Sequence, residues 1–112
     1  MNIGSLRHRI EFQRLEESYD KEGFPIEDYV TFRKVWADVN DLYGKEYWTS
    51  KQNTSENITS FYTRYYKNID INCFILFNNQ RYEILEIDNI KYLNKELKIK
   101  AKLQVINNGN WN

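Results

Sequence analysis

The stretch LKIKAKLQV puts Leu97, Ile99, Ala101, Leu103 and Val105 on one parity and Lys98, Lys100, Lys102 and Gln104 on the other. Such strict alternation fits a strand with one face in a core and one in water. It does not fit a helix, whose apolar positions recur every three or four residues. A strand of this kind needs neighbours, because alone it leaves its backbone donors and acceptors unsatisfied.

Those neighbours can be read upstream. Ile10 and Phe12 alternate with Glu11 and Gln13, which predicts a strand from about His8 to Leu15. The following EESYDKEGFPIED combines acids, Gly23 and the only proline, Pro25, and predicts an exposed loop. A second strand is expected from Tyr29 to Val39. Val30 and Phe32 lie on one parity but Val35, Ala37 and Val39 on the other, so a bulge is expected near Arg33 and Lys34. Further strands are predicted at Ile58 to Tyr66, Cys73 to Phe77 and Arg81 to Ile87, with a tight turn at Asn78-Asn79 and a connection from Asp88 to Asn94. The tail NNGNWN is expected to fray. The fold class is therefore mainly β. The pattern points to a small antiparallel barrel or sandwich of about six strands, in a single domain spanning residues 1–112.

Composition narrows the chemistry. Sixteen basic and sixteen acidic side chains balance, so no global field draws the chain to nucleic acid or an anionic membrane. The longest apolar run, Cys73 to Phe77, is too short for a membrane span, and no signal peptide is expected. Cys73 within that run reads as a buried thiol. One histidine, His8, one cysteine and no glycine-rich phosphate loop offer little for catalysis, so neither an enzyme nor a cofactor is expected. Asp20, Glu22, Glu27 and Asp28 lack the spacing of a calcium loop. Glu83 and Glu86 do not share strand parity. Lys98, Lys100 and Lys102 could track phosphates, or form the ordinary solvent face of a sheet. Phe61, Tyr62, Tyr65 and Tyr66 could stack bases, but they alternate across both faces, so at least half belong to a core.

Between the second and third predicted strands lies DLYGKEYWTSKQNTSEN, Asp41 to Asn57. Connections of this length are uncommon in a compact domain unless disordered or functional. Tyr43, Tyr47 and Trp48 argue against simple disorder. Gly44, Thr49, Ser50 and Asn53 disfavour a helix interior, although Lys45 to Gln52 could form about two turns. The expectation is one long loop or a short helix.

Four stretches, in order, resemble the head-tail joining proteins of tailed bacteriophages, also called head-closure, head-completion or stopper proteins. IGSLRHRIEFQR resembles the family's opening, a leader with Gly4, Leu6 and Arg7 running into the first strand. VWADVNDLYGKEYW resembles its tryptophan-alanine-acidic motif, here Trp36, Ala37 and Asp38, followed by a Gly-basic-Glu-aromatic run, Gly44, Lys45, Glu46 and Tyr47. FYTRYYKNIDINCFILFNNQRYEILEI matches an arginine-tyrosine strand, a turn with a buried Ile69 and a hairpin closing at Tyr82, Glu83 and Ile84. The final alternating strand fits the family's end. Asn79 stands where the family's hairpin usually has glycine, which leaves the turn type open.

The resemblance implies a small β-barrel that docks as a dodecameric ring beneath the portal and adaptor, helps retain packaged double-stranded DNA and offers the tail its attachment surface. It implies partners in the portal/adaptor ring, the tail proteins and copies of itself, no membrane, and a passage from host cytoplasm during assembly to the virion. It places the long segment at the channel. Tyr43, Gly44, Lys45, Glu46, Tyr47, Trp48 and Lys51 are then candidate channel or partner residues, with Lys45 and Lys51 as possible phosphate contacts. A tail-terminator or tail-tube protein, and a nucleic-acid-binding barrel, remain as alternatives.

Overall fold

The computed structural model describes residues 6–41 and 58–104, together with the backbone of residues 47–48 and 53–54. Six strands close into a barrel: β1 (His8–Tyr19), β2 (Pro25–Asp41), β5 (Ile58–Arg64), β6 (Phe74–Phe77), β7 (Gln80–Asn89) and β8 (Glu96–Leu103). Two short strands, β3 (Tyr47–Trp48) and β4 (Asn53–Thr54), form a separate ladder. The order around the barrel is β1, β2, β5, β8, β7, β6, with every neighbouring pair antiparallel. Closure is made where Glu11, Phe12 and Gln13 of β1 pair with Leu76, Ile75 and Phe74 of β6.

The alternation seen in the sequence becomes the barrel interior. Ile10, Phe12, Val35, Ala37, Phe61, Ile75, Ile84, Leu97, Ile99 and Ala101 are all buried there. Phe61 meets Phe77 and Tyr82 edge-on, with ring centroids 6.0 and 5.3 Å away, the geometry aromatic quadrupoles favour. Ile69 and Cys73 close the core beneath the turn ahead of β6. Leu103 departs from its expected inward role: it has the right parity but lies at the end of β8 and is 39% exposed. Val105 lies outside the described residues.

The turn between β6 and β7 is settled by its dihedrals. Asn78 and Asn79 have φ of 57° and 64°, with Phe77 paired to Gln80 across the two-residue loop. Two successive positive φ values define the primed turn whose twist suits a hairpin, and asparagine tolerates that region better than other non-glycine residues. Asn79 thus does the work of the missing glycine.

The first hairpin differs most from expectation. Residues 16–28 are not chiefly a loop: β1 continues to Tyr19 and β2 resumes at Pro25. Only Asp20 to Phe24 turns. The Asp20 carboxylate accepts the amides of Glu22 and Phe24 at 2.9 and 2.8 Å, the Asp20 amide donates to the Phe24 carbonyl at 2.9 Å, and Gly23 supplies a φ of 87°. These bonds let an acid-rich segment pair as a two-stranded ribbon. The expected bulge is present, displaced by one residue: Phe12 pairs with Arg33 but Gln13 with Thr31, leaving Phe32 as the extra residue. Beyond it Val30 is exposed and Tyr29 and Thr31 are half-buried, so Val30 does not join the core.

A polar cluster holds the ribbon to the barrel at this bend. Gln13 Nε2 donates to Thr31 Oγ1 at 3.0 Å, and Thr31 Oγ1 donates to Glu11 Oε1 at 2.7 Å. Arg81 Nε, from β7, donates to Gln13 Oε1 at 3.1 Å. The Arg81 guanidinium also lies 3.6 Å from the Tyr29 ring centroid, and that ring meets Phe74 edge-on. Gln104 Nε2 donates to the Tyr29 hydroxyl at 3.3 Å. Gln13 is 6% exposed, and its amide oxygen and nitrogen are both satisfied here, as buried polar groups must be.

Candidate functional site

Strand β2 ends at Asp41 and β5 begins at Ile58, and the register sets Asp41 opposite Thr59. Thr59 Oγ1 donates to Asp41 Oδ1 at 2.9 Å. The long segment therefore leaves and rejoins the barrel at facing positions of neighbouring strands. Within it the backbone of Tyr47 and Trp48 pairs antiparallel with Thr54 and Asn53. The helix expected as one option over Lys45 to Gln52 is not formed at Tyr47–Trp48, where aromatic residues favour strand geometry. Tyr43, Gly44, Lys45, Glu46 and Lys51 lie outside the described residues, as do the side chains of Tyr47 and Trp48.

Beside this exit point a cavity of about 410 Å³ opens at the barrel mouth, lined by His8, Asp41, Thr59, Phe77 and Tyr82 among others. His8 is exposed, and its ring meets Phe77 edge-on at 5.6 Å. The Tyr82 hydroxyl donates to Gln80 Oε1 at 3.4 Å. Burial first, and the nearby Asp41 charge second, raise the Tyr82 pKa, so it stays a protonated donor. The Cys73 thiol is 2% exposed, and burial is the main cause raising its pKa. It points a weak donor at the Asn68 carbonyl, 3.8 Å away. The thiol is thus placed as the sequence suggested, inside and unreactive in character. Among the described residues no group of three metal-ligating side chains comes together, and Asp20, foremost of the acidic candidates, is engaged by its own turn.

The lysine row acquires a definite setting. The register places Lys98 opposite Asp88, Lys100 opposite Glu86 and Lys102 opposite Glu83, three cross-strand pairs of opposite charge. Lys98 also reaches the Tyr62 ring at 5.4 Å. The aromatics of β5 and of the two residues after it are likewise occupied: Phe61 is in the core, Tyr65 and Tyr66 pack against it, and Arg33 lies over Tyr66 at 4.8 Å. This arrangement is that of a neutralised sheet surface, not a track for phosphates with a stacking platform.

Sequence reasoning missed Gln13, Arg81 and the exposed ribbon. No short-range signal links Gln13 to Arg81, whose bond spans 68 positions.

The fold and the mouth together define a closed antiparallel β-barrel from which the β1–β2 ribbon extends, with a separate two-stranded ladder, β3–β4, between β2 and β5. Residues 1–104 match the phage head completion protein family. The chain belongs to that family, and with it to the structural proteins of the phage head and tail region. Solved structures share the fold. Protein SF1141 from Shigella flexneri 2a superposes with a TM-score of 0.68 at 22% identity, covering 95% of this chain and 99% of that one. A chain from the virion of a native gene transfer agent particle superposes with a TM-score of 0.64 at 15% identity, covering 89% of this chain and 96% of that one. No curated protein matches the chain in sequence.

Proposed function

We propose that this protein docks as a dodecameric ring beneath the portal and adaptor, helps to retain packaged double-stranded DNA, and presents the surface to which the tail attaches. It forms in the host cytoplasm and ends in the virion. Family membership supports the setting, and a fold neighbour drawn from a virion particle agrees with it. The observation that carries the plug role is the exit at Asp41 and Thr59, where the long segment is tethered at both ends on one side of the barrel mouth. From that tether, the seven residues to Trp48 span at most about 23 Å when extended. In this reading Tyr47 and Trp48, with Tyr43, Gly44 and Glu46 around them, anchor against neighbouring subunits or the adaptor, and Lys45 and Lys51 meet DNA phosphates. Lysines set against acids on β7 and β8 make a nucleic-acid-binding barrel the weaker reading.

The test replaces Tyr43 to Asn57 with a short Gly/Ser connection. The barrel keeps its cooperative thermal unfolding, because loop closure depends only weakly on length, while heads completed with the variant lose their DNA. Retained DNA would remove the plug assignment, and an unfolded variant would place Tyr47 and Trp48 in the core.

A further inference from the structure

Beyond its anchor at Tyr29, the ribbon formed by the distal halves of β1 and β2 is exposed on both faces among the described residues. Leu15, Tyr19, Phe24, Ile26 and Val30 are exposed along it, Tyr19 and Phe24 by 69% and 65%. Its acids face one another: Glu16 is opposite Asp28 and Glu17 opposite Glu27. Like charges directly opposite in a ladder repel, and a two-stranded hairpin with nothing packed on it is marginal. A surface that combines exposed aromatics with uncompensated acids fits a partner presenting cations around an apolar anchor.

The chain itself carries such a surface. On the outside of the same two strands, before the bulge, Trp36 is 50% exposed, with the Arg9 guanidinium 5.1 Å from its ring centroid. Exposed Lys34 lies two residues from Trp36 on the same face; Glu11 stands opposite it, with one carboxylate oxygen accepting from Thr31, and Asp38 follows Trp36 at the same spacing, so Arg9 and Lys34 are the cations of a mixed patch around the tryptophan. Tryptophan and arginine are the residues most enriched where binding energy concentrates. The ribbon cannot fold back onto this patch, because both belong to one continuous ladder.

We infer that the acidic β1–β2 ribbon of one copy seats on the Arg9, Lys34 and Trp36 face of the next. The contact joins two different surfaces, so it is head-to-tail and closes into a ring when the rotation permits. The inference rests on the ring reading only for its place in the virion; the contact itself is a property of the chain.

Charge reversal tests it. One variant carries E16K, E17K and E27K, the other R9E and K34E, all at exposed positions. Sedimentation of concentrated protein at low ionic strength, where exposed charges are least screened, should show each variant associating about tenfold more weakly than the wild type. An equimolar mixture should recover association, since each reversed surface then meets an opposite one. In head completion, each variant alone fails and the mixture succeeds. Trp36→Ala weakens association without altering charge. Either variant associating like the wild type, or a mixture no better than its components, overturns the contact. Wild-type protein that fails to complete heads would instead overturn the connector reading, leaving the sedimentation result to decide the contact.

Discussion

On either side of Phe32, β1 and β2 are the same ladder under two different regimes. Toward the barrel, Ile10, Phe12, Val35 and Ala37 are buried among the other strands. Beyond the bulge, Leu15, Tyr19, Ile26 and Val30 stand in solvent and acids confront acids. Backbone pairing resumes past the one-residue bulge and runs on to the turn, yet only the barrel half gains from burial of both apolar strands and their neighbours. The ribbon depends on its turn and on the cluster around Arg81. Continuity of hydrogen bonding is therefore a poor guide to how stability is distributed; local opening follows the density of buried contacts.

The sharpest way to separate the two regimes is to damage the barrel. Phe61→Ala removes a fully buried ring between Phe77 and Tyr82 and should cost about 3–5 kcal/mol of unfolding free energy, measured by denaturant titration. A cost under about 1 kcal/mol would mean that the core does not centre on Phe61.

A smaller effect should come from Arg81→Ala. It leaves Gln13 Oε1 without its donor and Tyr29 without its cation, at about 1–3 kcal/mol. Hydrogen exchange should then accelerate across residues 14–19 and 26–30 more than in β5 and β8. Uniform acceleration would show the ribbon and barrel opening as one unit.

Glu17→Gln should have the smallest effect and the opposite sign. Relieving repulsion across the ladder from Glu27 should stabilise the ribbon by a few tenths of a kcal/mol, up to about 1, with the barrel unchanged. Slower exchange at Glu16 to Ser18 is the expected readout, and faster exchange there would mean that the acids are held favourably.

What could be read in the sequence follows from the same division. Wherever one face is buried, alternation is imposed by the pleat, so β8 as far as Ala101 and the start of β1 were visible in the sequence, whereas β5, buried at Ile58, Thr59, Ser60 and Phe61 in succession, was visible only through its β-branched and aromatic content. The bulge was visible as a change of parity, and Asn78-Asn79 as turn chemistry. The ribbon was not, because an exposed strand need not alternate, and acids with glycine and proline imitate a loop. Leu103 was misplaced since periodicity says nothing of where a barrel ends. The bounds and unusual content of the long segment were legible in the sequence, but the short ladder of Tyr47–Trp48 with Asn53–Thr54 depends on pairing across a gap. The polar cluster joins β1, β2, β7 and Gln104, a coincidence that only the closed topology creates.

Closure has a consequence for how such a protein can multiply its contacts. Because β6 pairs with β1, the barrel has no open side on which another molecule could extend the sheet. Unlimited strand-to-strand growth, the hazard of any open sheet, is thereby barred at the barrel body. At the tip of the ribbon, Pro25 begins β2 and withholds a backbone donor from the exposed edge. In the proposed ring, copies would meet through side chains, and the angle those contacts set between subunits would decide whether the assembly closes or runs on as a filament.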